Sequence, residues 1–145
     1  MIIGDSIYED EYKKRIKKYA HRDPRIIFTG FLKRDEYEEI ASHAVCYVES
    51  KNIGGTHPSL LEAMDLGICV IAKNIPEHTE VVEDNALLYK KDDLQTLTTQ
   101  IEFVLKNTNK AKLIGASLQK RVKAAYNWET VIREYKKTFQ KVVSL

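Results

Sequence analysis

The chain has 145 residues, 43% of them hydrophobic and 30% charged, with six glycines and three prolines; this balance excludes a disordered segment and a fibrous repeat and implies one folded domain that needs no disulfide or metal staple. The formal net charge of +2 conceals an asymmetry, because residues 106–145 hold ten Lys and Arg against two Asp and Glu, while residues 1–105 hold thirteen against nineteen. The apolar stretches are far short of a membrane span and the start, Met1-Ile2-Ile3-Gly4-Asp5, lacks the pattern of a secretory signal, so the chain reads as cytoplasmic.

Ile2-Ile3-Gly4 reads as a short strand, and Glu11 to Ala20 as a helix with Tyr12, Ile16, Tyr19 and Ala20 on one stripe. Asp23-Pro24 breaks that helix. Arg25-Ile26-Ile27-Phe28 reads as a second strand closed by Gly30, followed by a helix over Arg34 to Ser42. Val45-Cys46-Tyr47-Val48 suits a strand buried on both faces; it leads through the loop Glu49 to His57 into a helix that opens on Pro58, turns Leu60, Leu61 and Met64 to one side and stops at Gly67. Cys69-Val70-Ile71-Ala72 and Ala86-Leu87-Leu88-Tyr89 supply two more strands. From about Asp92 the pattern is helical throughout: one helix carries Leu94, Leu97, Ile101, Val104 and Leu105, a weaker one runs from Ala111 to Ala125, and the last starts at the N-cap Asn127 and aligns Trp128, Val131, Ile132, Tyr135, Phe139, Val142 and Val143. Strands alternating with helices predict an α/β, Rossmann-like fold: a mainly parallel sheet of about five strands, helices on both faces, and a helical carboxy-terminal extension.

In such sheets ligands bind beyond the carboxyl ends of the strands. The loop after the third strand is the richest, since Gly54-Gly55-Thr56-His57 stands immediately before a helix start. Glycines let a backbone approach a ligand, and a helix start offers free amides and a positive dipole end, so an anion such as a pyrophosphate fits there; the alternative is that Gly54-Gly55 only turns a tight corner. Glu62 lies one turn into the helix, where ligand hydroxyls would satisfy a buried carboxylate, unless it lies on the solvent side. His57 can hydrogen-bond phosphate or sugar, cap the helix or stand exposed. Glu49, at a strand end, reads as solvated. His21, His43 and His78 share no metal-ligand spacing, Asp92-Asp93 reads as the electrostatic start of a helix, and Cys46 and Cys69 read as small hydrophobes in apolar runs, so no metal is expected. There is no GxGxxG and no P-loop lysine.

Four segments together resemble a known family. Gly54-Gly55-Thr56-His57-Pro58-Ser59-Leu60-Leu61-Glu62-Ala63-Met64 with Gly67 and the following strand, Arg25-Ile26-Ile27-Phe28-Thr29-Gly30-Phe31, Pro76-Glu77-His78-Thr79-Glu80-Val81-Val82, and Tyr126-Asn127-Trp128-Glu129 are similar, in order and spacing, to the donor-site segments of family 4 glycosyltransferases, and more closely to their rhamnosyltransferase-like branch. The resemblance implies the carboxy-terminal, donor-binding half of a two-domain B-type transferase, over residues 1–145. It also implies that the first strand-helix unit of that half and the acceptor domain are missing. By the same resemblance Glu62 binds the ribose hydroxyls, Gly30, Phe31 and Leu32 line the base, Gly54, Gly55, Thr56 and His57 face the diphosphate and sugar, and Glu80 lies near the nucleotide. The family's usual pair of glutamates departs here: the first falls at Gly54, as it often does in this branch.

The reading is thus the donor half of an enzyme that moves a hexosyl group from a nucleoside-diphosphate sugar to a glycan or lipid-linked acceptor in surface polysaccharide synthesis, inactive as an isolated chain and without metal or other cofactor. No residue can be named as the catalytic base. The alternative is a non-catalytic nucleotide-sugar binding or assembly module. The expected partners are the nucleotide-sugar and an amino-terminal acceptor domain. The basic tail is either a solvated face or a contact with the anionic inner face of the membrane, and its aromatics lie on an apolar stripe instead of alternating with basic residues, which argues against nucleic acid.

Overall fold

The computed structural model describes residues 1–5 and 10–143, and its contacts divide the chain into two compact units, residues 1–40 and 41–145. In the first unit β1 (Ile2–Ile3) lies parallel to β2 (Phe28–Gly30), with Ile2 opposite Phe28. The Gly4 amide donates to the Gly30 carbonyl at 2.9 Å. Helix α1 spans Asp10–Ala20 and α2 spans Arg34–Ser42. The expected strand over Arg25 to Phe28 is displaced toward Gly30 for a local reason. The Asp23 carboxylate accepts from the Arg25 amide at 3.0 Å and from its guanidinium at 2.6 Å, which folds residues 23–25 into a turn and holds the Asp23 carboxyl down at about 2.

In the second unit β3 (Tyr47–Glu49), β4 (Val70–Lys73) and β5 (Leu87–Tyr89) form a parallel sheet in the order β3-β4-β5, with Tyr47 opposite Val70 and Lys73 opposite Tyr89. The single five-stranded sheet expected from the sequence is therefore corrected to one of two strands and one of three; periodicity finds strands but does not say which edges pair. Every residue of β4 is buried. On one face Cys69 and Ile71 join Tyr89, Val104 and Ala111 in the core, with Val48, Leu87, Leu97 and Ile101 packed against them. Val70 and Ala72, equally buried, point the other way by the strand's period of two. Both cysteines are free. Burial, and then the neighbouring Cys46, pushes the Cys69 thiol up to about 11, so it behaves as the apolar filler the sequence suggested.

Helix α3 (Pro58–Asp65) opens on Pro58 and buries Leu60, Ala63 and Met64. It ends where Gly67 adopts a φ of +70°, with the Ile68 amide donating to the Ala63 carbonyl and that of Gly67 to Met64, both closing the orphan carbonyls of the last turn. Helix α4 (Pro76–Val82) was not anticipated, since seven residues opening on a proline give no periodic stripe. Helix α5 (Leu94–Lys106), α6 (Thr108–Ala125) and α7 (Trp128–Val143) complete the chain. The expected caps form: Asp93 accepts from the Thr96 amide at 2.9 Å, and Asn127 from the Thr130 amide at 2.8 Å. The apolar stripe of α7 forms too, yet none of its residues is buried; Trp128 is 77% exposed. Among the described residues no helix is long and apolar enough to cross a membrane.

The Asp93 cap yields a pH prediction. Hydrogen bonds from the Thr96 side chain and then its amide hold the Asp93 carboxyl below its ordinary value, so the folded state favours the ion more than the unfolded chain does. The cap's contribution is complete above the ordinary aspartate range and is lost as pH falls through the depressed folded value. Asp93→Ala should therefore melt below the parent chain at neutral pH, with the gap closing on acidification, as thermal melts across that range will check; a gap that widens would contradict this sign.

Candidate functional site

The carboxyl ends of β3, β4 and β5 converge on an unusual set of groups. Among the described residues, the buried polar or charged side chains are Glu49, His57, Lys73 and His78. Glu49 and Lys73 are the last residues of their strands, His57 precedes α3, and His78 lies in the first turn of α4. Apolar burial of four such groups is costly unless each is bonded, and here the two histidines bond to each other, Glu49 to Tyr47 and the Lys51 amide, and Lys73 to Asn52.

Glu49 is only 2% exposed. Its Oε2 accepts from the Tyr47 hydroxyl at 3.0 Å and its Oε1 from the Lys51 amide at 3.1 Å. The Tyr47 oxygen also lies 3.1 Å from Ser59 Oγ, to which Lys51 Nζ donates at 3.3 Å. The Tyr89 hydroxyl donates to the Glu49 carbonyl; burial and then the Glu49 charge raise that phenol above its ordinary value. Lys73 Nζ donates to the Asn52 side-chain carbonyl. The His57 Nδ1 stands 3.7 Å from Glu49 Oε2 and 3.2 Å from His78 Nε2, and His78 Nδ1 lies 2.9 Å from the Lys73 carbonyl oxygen. The two rings meet edge to face, 5.1 Å between centroids. His57 Nε2 is buried and has no partner.

Glu49, His57 and His78 bring one nitrogen or oxygen each within 4.8 Å of one another. The two imidazoles and the Lys73 carbonyl are joined by hydrogen bonds, and the Glu49 carboxylate approaches His57 at ion-pair distance, so the groups form a polar chain running from β3 to α4. Gly54, Gly55 and Thr56 lie exposed above it. Gly54 has a φ of +145°, and a Cβ built there would fall 2.4 Å from His57 Nε2, so the imidazole sits directly beneath the turn.

Two expectations need correction. Glu49, read as solvated, is among the most buried side chains, because the loop 50–57 folds back over the strand end. Glu62, considered on a buried face, is exposed. With Leu61, Asp65, Lys123, Tyr126, Trp128 and other residues it lines a groove of about 410 Å³ between α3 and the junction of α6 and α7, and no residue of the Glu49 chain lines that groove. His57 is the N-cap residue by position, but its side chain makes no cap and is not exposed. Gly30 ends β2 in the first unit and Phe31 and Leu32 follow it, Phe31 being 71% exposed. Glu80 is exposed on α4, and its backbone carbonyl accepts from Arg121 Nη2 at 2.8 Å. The sequence missed His78, Lys73 and Tyr47 as site residues. Only the place of Lys73 at the carboxyl end of β4 could have marked one of them; Tyr47 opens β3 and His78 lies within α4.

The comparisons with known proteins agree on one family. The family model described as glycosyl transferases group 1 matches residues 1–121. A protein of Methanocaldococcus jannaschii named as an uncharacterized glycosyltransferase is 30% identical over 136 residues, which cover 90% of this chain and 35% of that protein. The chain thus spans about a third of the length of this curated relative. Among solved structures, HepE of Anabaena in complex with UDP-glucose superposes with a TM-score of 0.86 at 20% identity, over 96% of this chain and 40% of that one. Sucrose-phosphate synthase from Thermosynechococcus elongatus gives 0.87 at 21% identity, over 98% and 38%. The two superpositions carry the fold: parallel sheets flanked by helices, of the Rossmann-like B type.

Proposed function

The chain belongs to the group 1 glycosyl transferases, and from that membership we propose that it is the donor-binding region of a transferase that moves a hexosyl group from a nucleoside-diphosphate sugar to a glycan or lipid-linked acceptor. The observation that carries the reading is the glycine turn at the start of α3, held from beneath by the buried Glu49–His57–His78 chain. A turn fixed in this way presents its backbone to a diphosphate with little ordering left to do on binding. That HepE, of like fold, has been solved with UDP-glucose supports the same ligand class here.

In this reading the helix start and the turn stabilise charge on the leaving diphosphate, and no metal is required. Glu62, exposed beside the groove, accepts hydrogen bonds from the ribose hydroxyls; Gly30, Phe31 and Leu32 line the base, and Glu80 lies near the nucleotide. The acceptor surface, and with it turnover, lies outside these residues, so the chain alone does not transfer sugar. The sequence similarity further points to the rhamnosyltransferase-like branch of family 4 and to a cytoplasmic protein of surface polysaccharide synthesis, whose basic carboxy-terminal helix can face anionic lipid. A second reading, a binding module without catalysis, is favoured by Gly54, which stands where the family's first glutamate would be.

Calorimetric titration with UDP, GDP and dTDP tests the donor reading. Glu62→Ala should weaken the preferred nucleotide by about 1–3 kcal/mol, through loss of charge-assisted hydrogen bonds to the ribose. Since the side chain is exposed, its melting temperature should hardly change. Equal affinity of parent and variant for all three nucleotides would remove the ribose role. A radiolabelled-donor assay on a membrane extract separates enzyme from module, and transfer by this chain alone would refute its dependence on a second domain.

A further inference from the structure

We propose that nucleotide binding at the Gly54–Gly55 turn is coupled to the uptake of one proton at His57 Nε2, an inference that rests on the donor-binding reading above. It follows from the order of hydrogen bonds in the buried chain. A carbonyl oxygen only accepts, so His78 Nδ1, 2.9 Å from the Lys73 carbonyl, carries a hydrogen. If the pair is neutral, His78 Nε2 is then a lone pair, and the 3.2 Å contact requires His57 Nδ1 to donate to it. That leaves His57 Nε2 bare. Adding one proton gives two possible arrangements: His57 is the cation, or His78 is the cation and donates to a bare His57 Nδ1. In both of them His57 Nε2 bears the hydrogen. The pair therefore gains or loses its charge at one atom, and that atom is the one lying without a partner beneath Gly54.

The surroundings decide when the charge is gained. On the far side of His57 is the Glu49 carboxylate, 3.7 Å from Nδ1 and buried. The other groups around the pair are two cations and two phenols: Lys73 of β4 donates to Asn52 and Lys51 of the loop to Ser59, neutral partners that leave both ammonium charges uncompensated and so work against a positive imidazole until an anion arrives, while the Tyr47 hydroxyl of β3 donates to Glu49 and that of Tyr89 of β5 to the Glu49 carbonyl. A diphosphate on the turn adds negative charge on the near side, so the imidazole is then flanked by anions front and back in a region little exposed to water. An opposite charge close by favours the protonated form. The proton comes from solvent and goes to the Nε2 lone pair; no other bond is made or broken. Nucleoside binding without phosphate supplies no such charge and takes up no proton.

The test is titration of the full chain with UDP, and with uridine as control, between pH 7.5 and 9, in pairs of buffers that differ in ionisation enthalpy; phosphate groups, with a second pKa near 6, are fully ionised there. The expected result is uptake of up to one proton with UDP, none with uridine, and affinity that falls by as much as about tenfold per pH unit. His57→Asn should bind UDP more weakly than the parent at pH 7.5, and that binding should show no uptake and a flat pH profile, circular dichroism confirming that it folds; affinity at pH 7.5 equal to the parent's would overturn the coupling. Nitrogen-15 spectra of the free chain at pH 8 should show both imidazoles with hydrogen on Nδ1 and a bare His57 Nε2. UDP binding with no proton uptake, uptake that survives His57→Asn, or a free chain with hydrogen on His57 Nε2 would overturn the coupling while leaving the nucleotide site standing. Absence of UDP binding at every pH would overturn both.

Discussion

Gly115→Ala is expected to destabilise the protein by about 1–3 kcal/mol, the overpacking range, and to lower its melting temperature by roughly 3–9 °C. In the middle of a helix this substitution ordinarily stabilises, by about 1 kcal/mol, because glycine gives up more backbone freedom than alanine. Here the tertiary contact reverses the sign. A Cβ at 115 would fall 2.0 Å from the Gly67 carbonyl oxygen and 2.8 Å from its carbon, and these are backbone atoms of the turn that ends α3. They cannot swing aside as a side chain would. The turn is held by the Ile68 and Gly67 amides and by Gln119, which donates to the Asp65 carbonyl, so relief requires α6 to lift from α3. That would loosen Leu118, fully buried three residues on. Ala124→Gly, at an exposed position of the same helix, serves as the propensity control and should cost no more than about 1 kcal/mol. A Gly115→Ala chain that melts at or above the parent temperature would refute the close approach of the two helices.

Gly54→Ala is expected to cost about 3 kcal/mol from two separable sources. A φ of +145° is costly for any residue with a Cβ, of order 1–3 kcal/mol, and the new methyl would meet His57 Nε2 at 2.4 Å. The ring is held by its bond to His78 and its approach to Glu49, so swinging it aside costs both contacts. A double-mutant cycle separates the sources. In a His57→Ala background the collision is gone and only the backbone strain remains, so Gly54→Ala should cost at least 1 kcal/mol less there than in the parent, which is within the range measured for residues in contact. Urea unfolding of the four chains gives the coupling. A coupling within about 0.5 kcal/mol of zero, the scatter of independent sites, would mean that glycine is required at 54 by its backbone alone. The imidazole of His57 lies where a side chain at 54 would begin, so a glycine at 54 and a buried imidazole at 57 belong together.

The chain's own pattern was enough for the order of the strands and of every helix but α4, the start of α3 at Pro58, its stop at Gly67, and the caps Asp93 and Asn127. These are local: a proline's fixed φ, a glycine's left-handed turn and a short polar side chain before a helix act within a few residues of where they are read. Four spaced segments were also enough for a glycosyl transferase, because they fix order and distance along the chain together. The buried stripe Ala111, Gly115, Leu118 and Val122 was in plain view but gave only a weak helix, since a glycine looks like a breaker until the turn it admits is seen.

What the fold alone decided concerns pairs distant in sequence. His57 and His78 are 21 residues apart, and they meet because β4 lies beside β3 and returns the chain to the same edge of the sheet. Glu49 was read as solvated because a strand end usually is; the loop that covers it closes through Tyr47, Lys51 and Ser59, contacts that carry no periodic signal. Periodicity reports which face of an element is apolar, and so it determined the elements and much of the core. Burial of a charged side chain depends on what other segments bring to it, and so the protonatable chain beneath the glycine turn, the exposure of Glu62 and the two-plus-three pairing of the strands were decided only by the tertiary structure.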